Sequence, residues 1–178
     1  VSGNVSVSAG NTCSESIPTT LNVTVNALPT ITGQPGSQSV CAGSAVNLTV
    51  SATGAGLTYQ WRKGGVDLAN TGNISGVTTA ALSISAASAG DAGSYDVVVS
   101  GTCSPAATSS SATLTVNTPP SITVQPVSQT VCLGAGASLS VTATGSGLTY
   151  QWRKDGTPVS GLTGSSFTIS SAATTDAG

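Results

Sequence analysis

Thr53-Gly54-Ala55-Gly56-Leu57-Thr58-Tyr59-Gln60-Trp61-Arg62-Lys63 returns as Thr144-Gly145-Ser146-Gly147-Leu148-Thr149-Tyr150-Gln151-Trp152-Arg153-Lys154, with ten of the eleven positions identical at a spacing of 91 residues. Inside the stretch, Leu57, Tyr59 and Trp61 alternate with Thr58 and Gln60. A period of two belongs to a half-buried strand and not to a helix. The same alternation runs through residues 45–52, 81–85, 95–99 and 112–116, and clusters of Gly, Asn, Ser and Pro separate the runs. That spacing predicts an all-β sandwich with no helix longer than a turn.

The ends fall at one phase of the repeat. Residues 3–13 (GNVSVSAGNTC) align with 93–103 (GSYDVVVSGTC), and Asp176-Ala177-Gly178 aligns with Asp91-Ala92-Gly93. Joining Gly178 to Asn4 would rebuild one whole repeat. The expected organisation is 1–26 as the last two strands of a preceding repeat, 29–117 as a complete repeat, and 120–178 as a repeat lacking its last two strands. The joints Val25-Asn26-Ala27-Leu28-Pro29-Thr30 and Val116-Asn117-Thr118-Pro119-Pro120-Ser121 match, and Pro29 and Pro120 stiffen them against a helix. A semi-rigid rod is expected. The incomplete repeat would leave Val141, Trp152 and Ile169 facing water along an unpaired sheet edge. Two arrangements satisfy this: a continuous polypeptide of which the chain is a window, or separate chains that complete one another head to tail by strand addition.

Composition points away from catalysis. There is no His and no Met, and charged residues make up 6% of the chain against a usual share of about 25%. Histidine is the side chain best suited to moving protons near neutral pH and a frequent metal ligand. Its absence removes Ser-His-Asp triads and His-containing zinc sites together. No enzyme activity, catalytic residue, cofactor or metal site is expected. A net charge of −2 without a basic run argues against nucleic acid as a partner. No apolar stretch approaches the ~20 residues of a membrane-spanning helix, so no membrane insertion is expected.

Four motifs follow one another in the complete repeat: Gly43-x-x-Val46-x-Leu48-x-Val50, Tyr59-Gln60-Trp61, Leu82-x-Ile84 and Asp91-Ala92-Gly93-Ser94-Tyr95-Asp96-Val97. The third repeat supplies Leu139-x-Val141, Trp152, Phe167-x-Ile169 and Asp176-Ala177-Gly178. In this order they resemble strands B, C, E and F of an immunoglobulin-like domain of the intermediate type, over nearly all of the chain. With the Val-Cys-x-Gly and Gly-Thr-Cys elements, the sequence is similar to tandem repeats of large secreted proteins and surface adhesins of the Bacteroidetes. The resemblance implies an extracellular or cell-surface location and a core of Val50, Trp61, Leu82, Ile84, Tyr95 and Val97. In the third repeat it implies Val141, Trp152, Phe167 and Ile169. Val50 and Val97 stand where the animal family places its inter-sheet disulfide, so apolar burial alone should hold this core. Tyr95 matches the tyrosine-corner position.

Cys13, Cys41, Cys103 and Cys132 are the disulfide candidates. Cys41 and Cys132 precede the turn into strand B, and Cys13 and Cys103 follow strand F. Cys41 with Cys103 is the simple pairing inside the complete repeat. Against it, Cys103 lies six residues past Val97 toward one end of the sandwich, while Cys41 belongs toward the other. A Cys41-type residue could instead staple to the Cys103-type residue of the following repeat. Both pairings, and free thiols, remain open at this stage.

The other polar features are sparse. Asp91 and Asp176 fall in a turn, where a carboxylate caps local amides, and no acidic cluster suggests calcium. Arg62-Lys63 and Arg153-Lys154 should mark an exposed strand end or a weak stripe for anionic glycans. The motifs at Asn4, Asn22, Asn47 and Asn73 fit the N-glycosylation pattern. Residues 68–77 form the longer of two equivalent connections, since Tyr59 to Asp91 spans 32 positions and Tyr150 to Asp176 spans 26. Three roles follow: a non-catalytic stalk or fibre that supports adhesion, a filament subunit completed by its neighbours, or a module binding a glycan or surface protein. The expected partners are neighbouring repeats or copies of the same chain, and such a glycan or protein ligand.

Overall fold

The computed structural model describes residues 2–178. They divide into two compact units, one ending at Thr115 and the other beginning at Val116. In the first unit, β1 (Ser2–Val7) and β2 (Thr19–Thr24) pair as an antiparallel hairpin. Eleven strands follow: β3 (Thr30–Gly33), β4 (Gln38–Cys41), β5 (Val46–Thr49), β6 (Ser51–Thr53), β7 (Thr58–Lys63), β8 (Val66–Asp67), β9 (Ile74–Ser75), β10 (Ala81–Ile84), β11 (Gly93–Ser100), β12 (Ala107–Thr108) and β13 (Ala112–Asn117). One sheet runs β5-β10-β9, and the other runs β4-β13-β11-β7-β8 with β12 on β11. β3 and β6 form a separate pair. This is an all-β immunoglobulin-like sandwich.

Alternation along the strands builds its core, because successive side chains point to opposite faces. On β11, Tyr95, Val97 and Val99 are wholly buried, while Ser94 between them and the start of the strand is exposed. Val46 and Leu48 on β5, Leu82 and Ile84 on β10, and Ala112 and Leu114 on β13 are buried in the same way. Trp61 on β7 has no exposed surface, and its indole N–H donates to the Thr79 carbonyl at 2.9 Å, so its one polar atom is satisfied. Val50 and Val97 are both buried. The run at 45–52 is not one strand. It breaks at Val50, whose N–H donates to Ala80 O at 2.9 Å, so that β5 pairs with β10 and β6 with β3.

The second unit contains β14 (Ser121–Val124), β15 (Ala137–Ser140), β16 (Thr142–Thr144), β17 (Arg153–Lys154), β18 (Thr157–Pro158) and β19 (Ser166–Ile169), paired as β14–β16, β15–β19 and β17–β18. Its local bonds repeat those of the first: Trp152 Nε1 donates to Gly164 O at 3.0 Å, and the ring lies 5.9 Å from Phe167, centroid to centroid. Burial does not repeat. Val141, Trp152, Phe167 and Ile169, named above as core positions and, for all but Phe167, as residues that the incomplete repeat would leave facing water, are half-buried, and no residue of 117–178 is fully buried. The reason is covering: the strands that match β11 and β13 close this face in the first unit, and residues 117–178 supply neither.

Candidate functional site

The turn into β11 is the most densely bonded polar site. Asp91 lies in the 3-10 turn Ala89–Asp91 and is 9% exposed. Its Oδ2 accepts from the Ser88 N–H (2.8 Å), the Ser88 hydroxyl (2.7 Å) and Asn73 Nδ2 (3.1 Å). Lys63 Nζ donates to the Gly90 carbonyl and stands 5.8 Å from the centre of the Tyr95 ring. The Tyr95 hydroxyl donates to the Asp91 carbonyl at 2.6 Å and closes the corner. Burial pushes the Asp91 carboxyl up, but the bonds from Ser88 and Asn73 and the charge of Lys63 outweigh it and hold the group below its ordinary value. Burial, helped by the Asp91 charge, raises the Tyr95 phenol. The carboxylate is thus occupied with protein donors. Among the described residues no group of three or more His, Cys, Asp or Glu side chains is placed to hold a metal ion. Asp176 repeats the turn, accepting from Ala173 N at 2.8 Å while Lys154 donates to Thr175 O. Replacing Tyr95 by phenylalanine removes one bond and little volume. We expect a loss of about 1 kcal/mol, read as a lowered urea midpoint with an unchanged slope.

At the opposite end the incoming chain is clamped. Pro29 is buried. A Cβ on Gly54 would stand 3.0 Å from Leu28 O and from Pro29 Cα, and one on Gly101 would stand 2.9 Å from Pro29 Cγ. Gly54 has φ +148, which a side chain would also strain. Ala55 N donates to Ala27 O at 3.3 Å, and Cys103 Sγ lies 3.6 Å from Asn26 O. The second unit clamps its own entry alike. Ser146 N donates to Thr118 O at 3.0 Å, Thr118 N donates to Ser146 Oγ at 3.0 Å, and a Cβ on Gly145 would stand 2.8 Å from Pro120 Cα.

Cys41 and Cys103 lie at opposite ends. Ser110 N donates to Gln34 and Thr113 N to Ser37 Oγ, so the chain into β4 runs parallel to that of β13 and brings Cys41 level with the end of β13. That is beyond the Gly93 end of β11, because Gly93 pairs with Leu114. Cys103 follows the other end of β11. The seven rises of ~3.3 Å between Gly93 and Ser100 separate the ends of β11 by about 23 Å, against the ~7 Å between α-carbons that a disulfide allows. All four cysteines are unbridged: Cys13, Cys41 and Cys132 are exposed and Cys103 is half-buried.

The remaining sequence candidates find partners. Arg62 and Asp96 face each other across β7 and β11 and form a two-pronged pair, Nε to Oδ1 at 2.7 Å and Nη2 to Oδ2 at 3.0 Å. Arg153 Nη1 donates to Gly156 O at 3.1 Å. Residues 68–77, the longer of the two equivalent connections, are bonded into the sandwich. Asn70 Oδ1 accepts from Val77 N at 3.2 Å, β9 pairs with β10, and Asn73 Nδ2 reaches Ala86 O (3.0 Å) as well as Asp91. Asn73 is therefore a structural amide, a role its sequence context did not announce.

Among curated proteins none matches the chain. Several solved structures share its fold. The I-band fragment I67–I69 from titin is 23% identical with a TM-score of 0.68, over 85% of this chain and 58% of that one. Dscam1 isoform 6.9, N-terminal four Ig domains, is 24% identical with a TM-score of 0.66, over 85% of this chain and 40% of that one. Sidekick-1 immunoglobulin domains 1–4 is 24% identical with a TM-score of 0.66, over 99% of this chain and 52% of that one. The chain thus spans well under two thirds of each of these. The model of the immunoglobulin domain matches residues 29–101 and again 119–178, three quarters of the sequence in all. With the sandwich, the buried Trp61 and the Tyr95 corner on the same residues, the chain belongs to the immunoglobulin domain family.

Proposed function

We propose that this chain is a non-catalytic stalk segment of an extracellular or cell-surface protein, a semi-rigid array of repeats that supports adhesion. In this reading 29–117 is one repeat, 1–26 ends the repeat before it, and 120–178 begins the next. Large secreted proteins of the Bacteroidetes are the setting its repeat motifs suggest. The observation that carries the reading is the clamp on the entering chain, where Gly54 and Gly101 at Pro29, and Gly145 at Pro120, leave no room for a side chain. Small-angle scattering on arrays of increasing repeat number tests it. The radius of gyration should grow in proportion to repeat number, whereas growth with its square root, as for freely jointed beads, would defeat the proposal.

The cysteines fit the same role. Cys103 lies beside Asn26 where the chain enters its repeat, and Cys41 lies toward the other end, which supports a pairing across the joint over one within the repeat. Non-reducing peptide mapping of an oxidised array should give Cys41-type residues joined to the Cys103-type residue of the following repeat. A Cys41–Cys103 peptide pair from one repeat would refute this pairing.

A further inference from the structure

We propose that Gln38 and Gln129 guard an open strand edge: their side-chain amides stand in for a neighbouring strand and keep β5 and β15 from pairing with the same strands of a second copy of this chain. The device is present in each unit and does not depend on the stalk reading. β3 pairs with β6 through a register shift between Ile31 and Gly33, and the chain then crosses to β4 in the other sheet. β14 pairs with β16 through the same shift, between Ile122 and Val124. β5 and β15 are thereby left bonded to a strand on one side only, to β10 and β19.

Hydrogen-bond alternation decides which groups face the open side. Val50 N donates to Ala80 O and Val141 N to Ser165 O, both at 2.9 Å. Bonded and non-bonded pairs alternate along an antiparallel ladder, so Leu48 bonds to Leu82, while Asn47, opposite Ser83, turns its N–H and C=O away from β10. Ser138, opposite Thr168, turns away from β19 in the same way. The Gln38 amide donates to Asn47 O at 2.8 Å. The Gln129 amide donates to Ser138 O at 2.7 Å, and its oxygen accepts from Ser138 N at 3.1 Å. That two-way exchange is the one a residue of a neighbouring strand would make. The usual protection of an edge by charge or proline is missing. No charged residue lies between Glu15 and Arg62 or between Asp96 and Arg153, and residues 46–49 and 137–140 contain no proline. A second copy is the occupant because the edge complements itself: two such strands, antiparallel about a two-fold axis, would each offer an outward N–H to the other's C=O.

Sedimentation across the micromolar range, comparing the parent chain with Gln38→Met and with Gln129→Met, tests the proposal. Methionine keeps the length of glutamine but has no N–H donor and no carbonyl oxygen. Each variant should associate on the order of 10-fold more tightly than the parent, since each uncovers backbone groups that another strand can pair. Adding Asn47→Pro to Gln38→Met should return association to the parent's level. Proline has no N–H to offer, and at position 47 it removes no bond to β10. Amide exchange in dilute solution reads the guard directly: Ser138 should lose protection in Gln129→Met and regain it as copies associate. Variants that associate no more tightly than the parent overturn the proposal. So does tightening that survives Asn47→Pro, because it would place the contact on another surface. Ser138 protection that is unchanged in Gln129→Met overturns it as well.

Discussion

Replacing Trp61 by alanine is expected to destabilise the first unit by about 3–5 kcal/mol, the usual cost of emptying a large aromatic site in a core. Ordinary domains have only ~5–15 kcal/mol in all, so the variant should be partly unfolded at body temperature. Three features put the effect at the top of that range. Trp61 is wholly enclosed, it lies on the strand that pairs with β11 through six consecutive positions, and its indole N–H is the donor to Thr79 O. No disulfide joins Val50 and Val97, so nothing covalent limits the damage. The chain carries its own control. Trp152 sits in the same eleven-residue motif with the same kind of indole bond, but it is half-buried. Trp152→Ala should cost the second unit about 1–2 kcal/mol, because less surface leaves water there. Amide exchange of β7 and β11 in one variant, and of β15 and β19 in the other, separates the two losses. Equal losses would mean that burial does not set the cost.

This pair of tryptophans also marks what sequence could and could not convey. The alternation around Trp61, the order of motifs and the Asp-Ala-Gly turn made the sandwich and its core readable, because each depends on periods of two and on turn chemistry within a few residues. The half-burial of Trp152 was foreseeable only from counting strands, since its own neighbours in sequence match those of Trp61. Contacts that depend on the course of the chain were not readable. Arg62 finds Asp96 only because β7 and β11 pair in one register, 34 positions apart. Asn73 reaches Asp91 across 18 positions because β9, within residues 68–77, pairs with β10. The clamp at Pro29 joins Gly54 and Gly101, far apart in sequence, and no local pattern announces that both must lack a side chain. The break at Val50 was hidden for a related reason: alternation continues unbroken through a strand that changes partners.

Asp91→Ala is expected to cost the first unit about 2–4 kcal/mol, and the pH dependence of stability identifies the cause. The substitution removes the charged acceptor shared by the Ser88 N–H, the Ser88 hydroxyl and Asn73 Nδ2, which keeps its bond to Ala86 O, and three bonds to one carboxylate set the cost. It leaves the backbone bond from Tyr95 to the residue 91 carbonyl possible, so the corner itself need not open. Because the folded protein holds the Asp91 carboxyl below its ordinary value of 3.8, folding favours the ionised form. Its contribution is complete above that ordinary value and is lost as pH falls through the lower, folded-state value. The parent should therefore lose stability on acidification into that window, and Asp91→Ala should flatten that part of the curve. Urea titrations at a series of pH values, followed through Trp61 in a Trp152→Phe background, read both effects. A variant that is destabilised yet keeps the parent's full acid dependence would show that packing of the turn matters, while the charge-assisted bonds to Asp91 do not.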